Sequence, residues 1–179
     1  MGRHSGRFVK SISLKYLLYA VALLVASLFL VGEYFGVLFN KSASLSTVLW
    51  RTAKTQDVTH GSYVVFCPPK YFLKEKHADR HISNGNCHGL TPLIKKVVGV
   101  PGDAYSVDDE GVRVNGNTLH NSKPLAVDGY GRTLPVYRAN KVVGKGLYLV
   151  AGETKGSFDS RYYGPIQKQW ITKTAIPLL

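Results

Sequence analysis

Residues 93–116 read LIKKVVGVPGDAYSVDDEGVRVNG. Three short runs rich in β-branched residues lie in it, at 93–98, 105–107 and 112–114, bounded by Gly, Pro, Asn and Asp. The turn signals Asp108-Asp109-Glu110-Gly111 and Asn115-Gly116 flank Val112-Arg113-Val114, a compact hairpin pattern. Runs of the same kind occur at 63–67 and 147–150, while helical signals largely stop after Asn40. This spacing predicts an all-β or β-dominated domain, so the expected fold class is mainly β.

Upstream the character changes. Residues 17–39 read LLYAVALLVASLFLVGEYFGVLF, with Glu33 as the only charge. As a helix this run rises about 35 Å, enough to cross a hydrocarbon core. Arg3, Arg7, Lys10 and Lys15 precede it and no acidic residue does. That asymmetry predicts a cytoplasmic N-terminus and an exported remainder. The expected organisation is a basic N-terminus at 1–15, a transmembrane signal anchor at 16–40 and an exported domain at 41–179. A cleaved signal peptide is the other reading. The length of the run and the bulky Glu33-Tyr34-Phe35 sequence disfavour it.

The chain has 179 residues, 45% hydrophobic and 19% charged, which excludes a disordered acidic tail and a low-complexity repeat. Two cysteines exclude a dense disulfide scaffold and a four-cysteine zinc site. The formal net charge is +12. With Arg3, Arg7, Lys10, Lys15 and Glu33 set aside, the remainder is still about +9. Anionic lipid headgroups are its nearest acidic partner. Nucleic acid is not an expected partner, because no recognised fingerprint is present and the charge lies outside the cytoplasm.

Cys67 and Cys87 bracket a polar stretch rich in Lys and His. In an oxidising compartment the simplest reading is a disulfide at its base, adding about 3 kcal/mol by chain entropy. The alternatives are two buried thiols or a Cys/His metal site using His77, His81 or His88. His77 and His81 stand at i,i+4 without the glutamate of the zincin pattern. No metal or cofactor is expected.

Chemistry concentrates in three segments: 41–46 (KSASLS), 93–103 (LIKKVVGVPGD) and 156–164 (GSFDSRYYG). A lysine in an apolar strand is a candidate for desolvation, which lowers its pKa toward that of a usable base. A neutral lysine can take the proton of a serine hydroxyl and so activate a nucleophile without histidine. Alternation groups Lys95 with Leu93 and Val97, and Lys96 with Ile94 and Val98. Pattern alone leaves open which lysine is buried, and an edge-strand lysine kept in water is the bland alternative.

Taken together, the three segments resemble the signal peptidase I family of serine-lysine proteases. Ser42-Ala43-Ser44-Leu45 is similar to the nucleophile box and Lys95 through Asp103 to the lysine box. Residues 109–119 resemble the hairpin that follows, and Ser157-Phe158-Asp159-Ser160-Arg161-Tyr162 the last box. The closest resemblance is to the TraF branch, the processing peptidases of bacterial conjugation. It is carried by Tyr63-Val64-Val65-Phe66-Cys67-Pro68-Pro69, Cys87 and residues 157–166. One departure stands out. The branch usually reads Ser-(Leu/Ile)-Pro-x-Gly-Leu-Tyr, whereas Ser44-Leu45-Ser46-Thr47-Val48-Leu49-Trp50 lacks the Pro and the Gly.

The resemblance implies a signal-peptidase-like β-rich catalytic domain behind one membrane helix. It implies Ser44 as nucleophile and Lys95 as general base. The Ser44 N–H and the Ser42 hydroxyl would hold the oxyanion, and Ser157 would hydrogen-bond Lys95. Asp159 would either serve Lys95 or pair with Arg161. Ser42 and Ser46 are the rivals of Ser44, and the register to Leu49-Trp50 favours Ser44. Ser44 lies roughly five residues past the expected membrane boundary, at most about 18 Å of chain. Leu45, Val48, Leu49 and Trp50 would then dip into the interface or belong to the core.

The expected function is a membrane-anchored serine-lysine endopeptidase that matures an exported precursor. By the branch this is a conjugative pilin subunit, trimmed at its C-terminus and in some members cyclised. The expected setting is the bacterial inner membrane, single-pass, with the catalytic domain periplasmic beside a pilus or secretion apparatus. A general leader peptidase, a non-catalytic anchored scaffold and a cytoplasmic self-cleaving repressor are the competing readings.

Overall fold

The computed structural model describes residues 14–40, 42–55, 57–69, 85, 87 and 89–179. Arg3, Arg7, Lys10 and Lys41, and the histidines His77, His81 and His88, lie outside the described residues. The chain divides into two compact units, residues 1–36 and residues 37–179.

The first unit is built on α1 (Leu14–Tyr34). Leu, Ala and Val dominate it, and its apolar side chains are exposed along its length. A helix that is apolar all round suits a hydrocarbon solvent. The part from Leu14 to Gly32 is long and apolar enough to cross a membrane. The helix is shorter than the apolar run suggested. Gly36 adopts a positive φ of 69°, and Val37–Phe39 forms a strand paired with Leu49–Arg51. The last residues of the expected 16–40 anchor therefore belong to the second unit.

That unit holds eleven strands among the described residues: β1 (Val37–Phe39), β2 (Leu49–Lys54), β3 (Tyr63–Phe66), β4 (Leu93–Gly99), β5 (Ala104–Asp108), β6 (Gly111–Val114), β7 (Asn117–Thr118), β8 (Ala139–Val142), β9 (Leu147–Ala151), β10 (Ile166–Gln167) and β11 (Ile171–Pro177). A one-turn helix, α2 (Ser160–Tyr163), precedes β10. Seven strands form one sheet in the order β1-β2-β11-β3-β4-β9-β10, and four form another in the order β7-β6-β5-β8. Every pairing is antiparallel.

All five β runs read from the sequence are strands. The hairpin of β5 and β6 closes with Asp108 opposite Gly111, and Asp108 Oδ1 accepts from the N–H groups of Glu110 and Gly111. This is the local carboxylate turn that Asp at such a position provides. β2 and β11 carry fewer sequence signals, yet they pair over five residues in the larger sheet. Trp50, Leu45, Val65, Ile94 and Ala175 pack together there. Trp50 and Leu45 are thus core residues, whereas Val48 is exposed.

Cys67, just after β3, is joined to Cys87 by a disulfide with a Cα–Cα separation of 5.3 Å. Cys67 N–H donates to Trp170 C=O, and Cys87 and Leu90 exchange backbone hydrogen bonds. The bond consumes both thiols, which sets aside the readings of free thiols and of cysteine metal ligands.

Candidate active site

Ser44 sits in the loop between β1 and β2. Asn40 holds the first half of that loop: its Oδ1 accepts from Ser42 N–H at 3.0 Å, and its Nδ2 donates to the carbonyls of Ser42 and Thr47. Trp50 Nε1 donates to the same Thr47 carbonyl at 3.0 Å. Within the loop, Ser42 Oγ donates to Ser44 Oγ at 2.8 Å and accepts from Ser44 N–H at 3.2 Å. The two expected oxyanion donors and the expected nucleophile therefore form one small cluster. Ser44 is buried, while the rival Ser46 is exposed.

Lys95 lies in the middle of β4, between β3 and β9. Both edges of β4 are paired, and the neighbours Ile94 and Lys95, which alternation puts on opposite faces, are both buried. Lys95 is 3% exposed. Burial disfavours its ammonium form and lowers its pKa to about 8, opposed by the charge of Asp159 and assisted by that of Arg161. Lys96 is only partly buried, and its Nζ stands 5.8 Å from the centre of the Tyr63 ring. The lysine with the properties of a base is Lys95.

Ser44 and Lys95 line one cavity of about 200 Å³, with Ser42, Leu93, Thr154 and Phe158 around them. Its walls come from the β1–β2 loop, from β4 and from the segment between β9 and α2, which are far apart in sequence.

That last segment is organised by Asp159 and Arg161. Arg161 Nε donates to Asp159 Oδ1 and Nη2 to Oδ2, each at 2.8 Å. Arg161 also donates to the carbonyls of Asn121, Thr154, Lys155 and Ser157. Asp159 caps α2 by accepting from Arg161 N–H, and its Oδ2 accepts from Gly152 N–H at 2.9 Å. Of the two roles open to Asp159, the pairing with Arg161 is the one formed by direct contact. Lys95 feels the carboxylate through its charge.

Ser157 is buried, and its Oγ has no hydrogen-bond partner among the described residues. The expected bond from Ser157 to Lys95 is not made in this structure. Gly152 explains how closely these parts meet: a Cβ there would stand 2.6 Å from both Ser157 Cβ and the Ser44 carbonyl oxygen.

Asn40, Gly152 and Glu153 were not among the residues singled out in the sequence. Asn40 had only a weak local signal, as the residue after which helical signals stop. Glu153 had none, because its contacts reach back to Ser44, Ser46 and Tyr63.

Residues 9–178 match the family described as signal peptidase, peptidase S26. A plasmid transfer protein TraF from Escherichia coli is 35% identical over 164 residues, covering 89% of this chain and 92% of its own. A conjugal transfer protein TraF from Agrobacterium fabrum is 32% identical over 146 residues, covering 80% of this chain and 82% of its own. A signal peptidase I from Enterococcus faecalis V583, known from a crystal structure, aligns with a TM-score of 0.36 at 18% identity, covering 65% of this chain and 94% of that one. With a match that spans nearly the whole chain, the protein belongs to the signal peptidase family, peptidase S26, and is a serine peptidase.

Proposed function

We propose that the protein is a membrane-anchored endopeptidase with a Ser44/Lys95 dyad that matures an exported precursor. The observation that carries this reading is the shared cavity of Ser44 and Lys95, with Lys95 desolvated in β4. In the neutral form Lys95 Nζ accepts the Ser44 hydroxyl proton as Oγ attacks the scissile carbonyl. The Ser44 N–H and the Ser42 hydroxyl turn to the oxygen on which charge develops. Lys95 then returns the proton to the leaving amine, which departs and leaves an acyl-enzyme. Water or a second amine resolves that ester. A bound N-terminal amine has the entropic advantage over solvent, so the same chemistry permits cyclisation.

The names of the relatives, plasmid transfer and conjugal transfer proteins, support a substrate in conjugation. A pilin precursor trimmed at its C-terminus fits that setting. The basic residues before the apolar helix support a cytoplasmic N-terminus and a periplasmic peptidase domain.

The test is the intact mass of the candidate pilin from cells carrying the wild type or Ser44→Ala. A trimmed pilin in the first and an unprocessed precursor in the second support the reading. A further loss of one water from the trimmed chain marks cyclisation. Identical masses in both strains would overturn either the substrate or the nucleophile. Comparing the exported proteome of wild-type and Lys95→Met cells separates these two.

A further inference from the structure

Two residues of the nucleophile loop, Ser44 and Ser46, are both held by one residue outside it, Glu153. Ser46 N–H and Ser46 Oγ–H both donate to Glu153 Oε2, at 2.9 and 2.6 Å. Tyr63 O–H donates to Glu153 Oε1 at 2.7 Å. The backbone of the same residue completes the grip, since Glu153 N–H donates to the Ser44 carbonyl at 2.7 Å. Asn121 Nδ2 in turn holds the Glu153 carbonyl at 2.9 Å. Glu153 therefore binds both the residue that carries the reacting hydroxyl and the residue two positions on, and anchors them to β3 through Tyr63.

We propose that Glu153 is the positioning residue for the Ser44 nucleophile, an assignment that rests on Ser44 being that nucleophile. The Asn40 side chain fixes the loop only as far as Ser42 and Thr47. Between those points Ser44 N–H is held by Ser42 Oγ, the Ser44 carbonyl by Glu153 N–H, and Ser46 by the Glu153 carboxylate, which is the contact a side-chain substitution removes. The departure at position 46 has a physical counterpart here: serine supplies an N–H and an O–H to the carboxylate, and proline has neither. A carboxylate accepting several such bonds is a strong and directional anchor. A reacting oxygen displaced by a fraction of an ångström loses its line to both the base and the carbonyl.

The test uses the full-length protein in detergent and p-nitrophenyl acetate as the acylating probe. Ser44 Oγ forms a bond to the acetyl carbon, the ester C–O bond breaks, p-nitrophenolate leaves, and the hydroxyl proton passes to Lys95. Glu153→Ala should lower the maximal acylation rate by about ten- to a hundredfold, with the half-saturating concentration nearly unchanged. Glu153→Gln, whose amide oxygen still accepts from Ser46, should recover part of that loss. A residue that only stabilised the fold would shift the melting temperature and leave the rate of the folded enzyme alone. If folded Glu153→Ala acylates at the wild-type rate, the positioning role is wrong. Should Glu153→Ala fail to fold, Glu153→Gln and Tyr63→Phe decide in its place, and wild-type rates in both overturn the proposal. Peptide mass mapping, with Ser44→Ala in parallel, separates the two assignments. Acetyl found on another residue, or undiminished in Ser44→Ala, removes the nucleophile itself and this inference with it.

Discussion

Asp159 and Arg161 form a two-pronged ion pair in which the side chains are 0% and 1% exposed. The carboxylate is fully engaged, by Arg161 Nε, Nη2 and N–H and by Gly152 N–H. The guanidinium is engaged as fully, through backbone carbonyls of the loops at 121–123 and 154–157. The pair thus sets the shape of the segment that closes the cavity around Ser44 and Lys95.

Replacing Asp159 by Asn should leave a buried guanidinium without its counter-charge. The expected loss is about 3–5 kcal/mol, because breaking one side of a buried ion pair exposes the full desolvation penalty of the other. Urea unfolding of the two proteins at neutral pH measures it. A loss below about 1 kcal/mol, the range of an exposed pair, would contradict the buried arrangement.

Peptidase activity should rise with pH through about 8 with the slope of a single proton, and level off above that. Only the neutral lysine can accept the serine proton, and burial has brought the Lys95 pKa down to about 8. A pH–rate profile of the maximal rate tests this. A midpoint near the ordinary lysine value of 10.5 would contradict the buried Lys95 as the base.

Lys95→Met should abolish turnover and yet raise stability at neutral pH. The Lys95 pKa is lower in the folded state than in the unfolded chain, so between about 8 and 10.5 the unfolded chain binds more protons. Wild-type stability therefore increases with pH across that window, and the penalty of the buried ammonium stands in full below it. The stability advantage of Lys95→Met should be largest at pH 7 and shrink by pH 10, as read from urea melts at the two values.

Gly152→Ala should slow the peptidase and destabilise it, since the added methyl meets Ser157 and the Ser44 carbonyl. Overpacking of this kind costs about 1–3 kcal/mol. Thermal melting and the maximal rate of the purified variant give both effects.

Replacing Cys67 and Cys87 together by Ser should reduce stability by about 2–4 kcal/mol through the longer-range freedom returned to the unfolded chain. The bridge lies outside the Ser44/Lys95 cavity, so the rate of the folded variant should be retained. Reduction of the wild type with a thiol should reproduce the same shift in an unfolding curve.

The β-dominated class, the hairpin built on 105–107 and 112–114 and the apolar helix were legible in the sequence, and a Cys67–Cys87 disulfide was its simplest reading. These follow from signals that are local or compositional: turn residues at fixed offsets, β-branched runs, an apolar stretch of spanning length with a single charge, and two cysteines bracketing one polar stretch. Resemblance added Ser44, Lys95, Asp159 and Arg161 as expected residues of one site; Ser44 and Lys95 line one cavity, and Asp159 and Arg161 pair with each other in the segment that follows β9.

Tertiary structure alone decided how those residues are used. Alternation could not choose between Lys95 and Lys96, because β4 lies inside the sheet and the depth of each lysine depends on what covers it from β3, β9 and the Ser44 loop. The direct pairing of Asp159 with Arg161 depends on where the fold puts the Arg161 side chain. Glu153 was silent in the sequence, since a carboxylate gains its meaning from donors on strands and loops that the fold brings beside it. Burial and hydrogen-bond geometry are properties of the packed chain, and segments this far apart in sequence acquire them only when the sheet forms.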